Sequence, residues 1–267
     1  MLNQPLVIAR KELVDHFRDS RSVASSALQA LMGPAIILLV LLARGQSASA
    51  APSGQPWPIM AAVFSLMATF TGAMAVSTDM IAGERERRSL LPLLVNARSR
   101  GHVIVGKWLA ASMFAAGGLL ISALAFGAVF LMWQMPLAPA VSLLSMGPAL
   151  FALALFATAL EILVSTLCRN TKEANTYLSM LVFGTMAVAM WLAFRPHAAE
   201  SWWQVVPLVG HQRLLEIGFV GGGSTFVHAV VVAVQSALLT TITVALTVLV
   251  LIATCRLFRR DEAVYGA

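Results

Sequence analysis

The sequence predicts an all-α integral membrane protein: six transmembrane helices, an N-terminal interfacial amphipathic helix, a short polar helix on the cytoplasmic side and an outer re-entrant-type hairpin before the last helix. Three observations lead there. Hydrophobic residues make up 59% of the 267-residue chain and charged residues only 11%, against about 25% charged in soluble domains, and the mean hydropathy is +0.83. The apolar residues fall into six runs near the length of about 20 that crosses a bilayer. Such a run in lipid must close its own backbone hydrogen bonds, which makes it a helix. Lysine and arginine, finally, are divided very unevenly among the connecting segments.

Residues 1–24, with "IARKELVDHFRDSR", are too polar to cross and predict a helix lying along the membrane surface. At roughly 100° per residue Leu2, Leu6, Ala9, Leu13 and Phe17 share one face, with Lys11, Asp15, Arg18 and Asp19 opposite. Arg10, Lys11, Glu12, Phe17 and Arg18 are its candidate contact residues, and the alternative is a basic flank that only fixes orientation. The membrane domain occupies 25–255, with runs from Ser25 to Ala43, Pro58 to Thr78, Lys107 to Trp133, Val141 to Leu167, Thr176 to Phe194 and Phe226 to Thr254; residues 256–267 form a tail. A 24-residue charged leader before the first run marks an anchor rather than a cleaved signal peptide. "RGQSASAAPSGQPWP" is a Pro, Ser and Ala linker.

Orientation follows the positive charges. Arg10, Lys11, Arg18 and Arg21, then Arg85, Arg87, Arg88, Arg98, Arg100 and Lys107, then Arg169 and Lys172, then Arg256, Arg259 and Arg260 all fall on one side; Arg44, Arg195 and Arg213 fall on the other. Both termini are therefore expected in the cytoplasm. The net charge of +6 is a topology signal and does not call for nucleic acid.

The densest charge lies in "GERERRSLLPLLVNARSR", inside a connecting segment over 80–106. Glu84 and Glu86 suit the amino end of a short helix, and Pro92 breaks it. The physical alternatives are a surface helix offering charge to a cytosolic partner and a solvated loop. The outer segment over 195–225 carries "VVPLVG" and "LLEIGFV", both too short to span, interrupted by Pro207 and Gly210 and ended by Gly221 to Gly223. A re-entrant or interfacial hairpin with Trp202 and Trp203 at headgroup level fits it, and Pro207 and Gly210 are candidate substrate or gating residues.

Glu161 is the carboxylate placed well inside a run, about 10 Å from its cytoplasmic end, and such a group is a candidate for cargo or gating. Thr158, Ser165 and Thr166 are near it in sequence; a structural pair, with Arg169 for example, is the other option. Asp79 suits a cap or an arginine partner. The stripe Ser236, Thr240, Thr243, Thr247 and Thr254, and that of Ala115, Gly118, Ser122 and Ala125, predict close helix packing. Enzyme chemistry has no visible motif: HExxH and GxSxG are missing. Gly106-Lys107 is followed by Trp108, so there is no phosphate-binding loop. Cys168 and Cys255 have neither disulfide nor metal spacing.

"IARKEL…FRDSRS", "DMIAGERERRSL…LL…SRGHVIVGK" and "VVPLVGHQRLLEIGFVGG" resemble the permease subunits of type-2 ABC transporters, especially the bacterial sodium-export-like branch. The resemblance implies that the segment after the second span is a coupling helix docking on a separate cytosolic ATPase. Glu84 would sit at its centre with Gly83, Arg85, Glu86, Arg87 and Arg88, Gly106 and Lys107 would open the third span, and the N-terminal helix would belong to the same docking site. It further implies two ATPase copies holding ATP and Mg, no cofactor bound by this chain itself, and pairing with itself or a similar permease. Export across a bacterial cytoplasmic membrane is implied as well, with sodium, or else a drug, lipid or peptide, as cargo. Arg88 and Ser89 stand where Gly and Thr are common, and Ala97 where proline is usual. The rivals are an ion-coupled secondary transporter or channel and, further off, an intramembrane enzyme.

Overall fold

A computed structural model describes residues 3–43, 57–89, 99–135, 137, 140–194, 201–220 and 226–258. Among these, all regular structure is helical. The order is α1 (Asn3–Arg18), α2 (Ser20–Ala43), α3 (Trp57–Thr78), α4 (Arg100–Met132), α5 (Ala140–Leu167), α6 (Thr171–Phe194), α7 (Val209–Val220) and α8 (Phe226–Phe258). Helix α3 runs on through a π turn (Asp79–Gly83) into one α turn (Glu84–Glu86), and a 3-10 turn (Ser201–Val205) precedes α7. Six helices, α2 to α6 and α8, are long and apolar enough to cross a membrane. They coincide with the six predicted runs. The linker after Ala43, Pro92 and Ala97, Arg195, Gly221 to Gly223 and the tail beyond Phe258 lie outside the described residues.

Three helices start five or more residues earlier than hydropathy predicts, because polar caps extend them; α6 begins at Thr171 behind the Asn170 side chain, which accepts from Glu173 N. Asp19 Oδ2 accepts from Ser22 N (3.3 Å) and Ser22 Oγ (2.6 Å), so α2 begins at Ser20. The Ser99 side chain accepts from the His102 amide, so α4 begins at Arg100 and adds about two turns before the apolar run.

Helix α3 is the centre of the bundle. It is buried along most of its length and touches α2, α4, α5, α6 and α7. In lipid the drive for such packing is close van der Waals contact, which small residues permit. A Cβ added to Gly118 would lie 3.0 Å from the Ala68 carbonyl oxygen and 3.4 Å from Gly72 Cα, so α3 and α4 meet nearly backbone to backbone. The hydroxyl stripe of α8 serves the same end. Ser236, Thr243, Thr247 and Thr254 are buried, and Ser236 Oγ donates to the Ser145 carbonyl of α5 at 2.7 Å.

Helix α1 corrects the predicted apolar face. Its buried face is Ile8, Ala9, Glu12 and His16, turned onto α4, whereas Leu6 and Phe17 are exposed. The reason is chemical: Gly106 leaves room for the Ile8 side chain, and Glu12 finds an ammonium beneath it. Arg10, Lys11 and Arg18 are exposed, with Lys11 3.6 Å from Asp15.

Candidate functional site

The charged segment between the second and third spans is where the bundle is tied together. Helix α3 leaves its α register at Asp79, and α5 supplies what the widened turn needs. Ser165 Oγ accepts from Ala82 N–H at 3.2 Å. One turn away on the same face of α5, Glu161 Oε2 accepts from Ser77 Oγ at 2.7 Å. A π turn inside an α-helix is rare and recurs at functional positions. Ser165→Ala should strand the buried Ala82 amide at a cost of about 1–3 kcal/mol, read as a lowered melting temperature; an unchanged melt would mean that the turn needs no support from α5.

From the π turn onward successive side chains reach different helices. Gly83 has no Cβ to block the Asp79 carboxylate, where one would lie 2.5 Å from Oδ1. Asp79 is thereby free to take both Arg87 amino groups at 2.8 and 3.0 Å, the bidentate geometry that makes such pairs strong. Glu84 turns inward, its Oε1 2.9 Å from Lys107 Nζ on α4. Lys107 is fully buried and also meets Glu12 Oε1 of α1 at 3.0 Å. Arg85 donates to the carbonyls of Thr166 (3.1 Å) and Cys168, capping the carboxyl end of α5. Glu86 Oε2 accepts from the Thr171 amide (3.1 Å) and hydroxyl (2.7 Å) at the amino end of α6. Cation at a carboxyl end and anion at an amino end are the favourable placements for the helix dipole. Arg88, at φ 57°, turns the chain away and is exposed.

The α5–α6 turn is itself stiffened. Asn170 Oδ1 accepts from Glu173 N, and Glu173 Oε2 accepts from Arg169 N, each at 2.8 Å, in the manner of a capping box. Cys168 is free and buried there; burial pushes its thiol above the usual range, and the Glu173 carboxylate adds to the shift.

The remaining sequence candidates separate. Glu161 and Ser165 belong to the π-turn support, while Thr158 faces α4, 2.8 Å from Ser112 Oγ. Thr166 bonds its own helix at Ile162 O. Neither hydroxyl bonds the Glu161 carboxylate, whose partner is Ser77 rather than Arg169. Among the described residues no group of three or more His, Cys, Asp or Glu is placed to hold a metal ion. Asp79 does find its arginine. What sequence reasoning missed is Lys107 as the hub: it stands at the edge of the predicted run, and only the earlier start of α4 puts it two turns inside the helix, where it needs a counter-ion.

Pro207 and Gly210 lie at the opposite end. Leu208, at φ 74°, makes the turn from the 3-10 segment into α7. Helix α7 then buries His211, Gln212, Leu214 and Leu215 among the spans. His211 Nε2 donates to the Ala149 carbonyl of α5 (3.0 Å), and Gln212 Nε2 to the Ala189 carbonyl of α6 (3.1 Å) and to Glu216 Oε1 (3.0 Å). Phe219 meets Phe126 and Phe130 of α4 edge-on at 5.8 and 5.5 Å. Trp203 stacks on Trp191 of α6. An apolar cavity of about 720 Å³ lies between α4, α5 and α7, with Leu120, Gly127, Gly147 and Phe219 in its wall.

Six apolar helices, three of them bonded at one end to the charged segment that continues a fourth, define a multi-pass membrane protein. The family model described as ABC-2 family transporter protein matches residues 6–263, and the chain belongs to that family. The ABC transporter permease protein NatB of Bacillus subtilis (strain 168) is 33% identical over 126 residues, which cover 44% of this chain and 33% of NatB. The matched stretch thus spans about a third of that relative's length.

Proposed function

We propose that this chain is the non-catalytic permease subunit of an ATP-driven exporter, with Gly83, Glu84, Arg85, Glu86, Arg87 and Arg88 receiving the stroke of a separate cytosolic ATPase. The observation that carries this reading is the reach of that short segment, which is bonded to α1 and α4 through Lys107, to α5 through Arg85 and to α6 through Glu86. A push delivered there is shared among four helices at once. The exposed Arg88, with Arg10, Lys11 and Arg18 of α1 on the same end, supplies the surface for docking. ATP and Mg belong to two ATPase copies, and the chain pairs with itself or a similar permease. Both termini face the cytoplasm of a bacterial cell, and the positive-inside rule supports that orientation.

Glu161 stands directly behind the π turn and registers its movement, while Pro207 and Gly210 set the outer hairpin that the spans would move. Sodium is the cargo favoured by the resemblance; drugs, lipids and peptides also suit spans whose walls are mostly apolar.

Co-purification of the tagged chain with a co-expressed ABC ATPase from the same cell tests the reading, with Glu84→Arg and Arg88→Glu alongside. A complex of two chains and two ATPases is expected. Glu84→Arg sets a guanidinium against buried Lys107 and should reduce ATP-driven activity by about a hundredfold, whereas Arg88→Glu should weaken recovery of the ATPase. A chain that purifies alone and still moves ions in vesicles without ATP would overturn the reading in favour of a secondary transporter.

A further inference from the structure

Lys107 lies seven residues into α4, about 10 Å along its axis from Arg100, with no exposed side-chain surface. An ammonium so placed is tolerated only when its charge is met. It is met twice, by Glu12 Oε1 at 3.0 Å and Glu84 Oε1 at 2.9 Å. The two carboxylates come from parts of the chain that share no other described ion pair: Glu12 from α1, Glu84 from the turn after α3.

Around this triad α1 lies along α4 in register. Ile8 covers Gly106, where a Cβ would stand 2.7 Å from the Ile8 Cβ and 2.8 Å from the Pro5 carbonyl oxygen. Glu12 meets Lys107, and Phe17 stacks on Phe114 at 4.9 Å. Of these contacts only the Lys107 pair is shared with the segment after α3. Along the chain α1 is joined to α2 through a break at Asp19.

We infer that Lys107 is a positioning residue for the coupling step: by holding Glu12 and Glu84 on one ammonium it makes α1 and the Gly83–Arg88 segment move as a single unit. This rests on the reading that the segment receives the ATPase stroke. Glu84 then acts through its inward bond, and α1 is carried with it. Replacing the lysine by a chain of similar length without charge would leave buried Glu12 with only exposed Lys11 at 3.8 Å and part-buried Glu84 without its ammonium, so the tie between α1 and the Gly83–Arg88 segment would be lost while the Arg85 and Glu86 bonds to α5 and α6 stay in place.

The test is hydrogen exchange on the whole complex with its ATPase in lipid nanodiscs, comparing the nucleotide-free state with the state trapped by ATP and vanadate. In the native protein, peptides covering 3–18 and 79–89 should change protection together. In Lys107→Met the change should persist at 79–89 and vanish at 3–18, where exchange becomes faster by about tenfold or more; Lys107→Arg should restore the joint response. Glu12→Met, which leaves Lys107 paired with Glu84, should decouple α1 in the same way and guards against a Lys107→Met protein that does not fold. A 3–18 response that follows nucleotide as in the native protein in either Lys107→Met or Glu12→Met overturns the inference. No response at 79–89 in the native complex overturns the coupling reading itself, and this inference with it.

Discussion

Gly210→Ala should lower the stability of the purified protein by about 3 kcal/mol, in the upper range for overpacking a fitted site, and its melting temperature by roughly 8 °C. The cause is local and rigid. A Cβ at position 210 would overlap the Gln204 carbonyl oxygen and stand 2.9 and 3.1 Å from the two methyl carbons of Leu239 on α8. A leucine methyl can rotate away; the carbonyl belongs to the 3-10 turn that hands the chain to α7 and has no comparable freedom. That turn is also fixed by the Gly210 amide on the Val206 carbonyl at 2.9 Å. Relief therefore requires the turn and α7 to part. Two glycine controls sharpen the expectation. Gly127→Ala points into open space, and Gly218→Ala makes ordinary contacts at 3.4 and 3.5 Å, so both should melt within about 1 °C of the native protein or slightly above it. Equal melts for all three would show that the hairpin is not seated as described.

The spans were legible because crossing a bilayer requires one simple thing, a long apolar run, and each of the six runs supplies it. The charged segment was legible as a place but not as a set of bonds. Composition shows that Glu84, Arg85, Glu86 and Arg87 are charged; it does not show that 100° steps along one turn aim them at four different partners. Those partners are a lysine on α4, the backbone carbonyls of α5, a threonine on α6 and Asp79. Two of these are backbone or neutral groups with no charge pattern to read. Helix α1 went astray for a related reason. The amphipathic wheel puts Glu12 on neither face and leaves it as a candidate contact residue, and only the fold shows that its partner is Lys107. Thr158 and Glu161, three apart on α5, were grouped by sequence nearness, yet Thr158 bonds Ser112 on α4 and Glu161 bonds Ser77 on α3.

On the proposed coupling role, Arg85→Met should separate the charged segment from α5 and reduce ATP-driven activity by about tenfold or more. The guanidinium caps the Thr166 and Cys168 carbonyls, and a hydrogen bond from a charged donor contributes about 1.5–3 kcal/mol. Its loss leaves the carboxyl end of α5 uncapped and the Glu86–Thr171 bond as the remaining described hydrogen-bonded tie from Glu84–Glu86 to the α5–α6 turn. A native reporter sits beside it. The Cys168 thiol is buried, and burial holds it in the unreactive protonated form, so in a Cys255→Ser background it should react slowly with a water-soluble maleimide near neutral pH. In Arg85→Met two effects oppose. Losing the cation's attraction raises the thiol further, while opening the turn removes the larger contribution, burial, and admits the reagent. Burial dominates, so labelling should accelerate by about tenfold, with Arg85→Lys between the two because one ammonium can bond a carbonyl but lacks the fork that reaches both. Slow labelling together with full activity in Arg85→Met would place the transmission to α5 and α6 on Glu86 alone. In that case Glu86→Gln, which weakens the charge at the α6 amino end but keeps an acceptor for Thr171, should lose the activity that Arg85→Met retains.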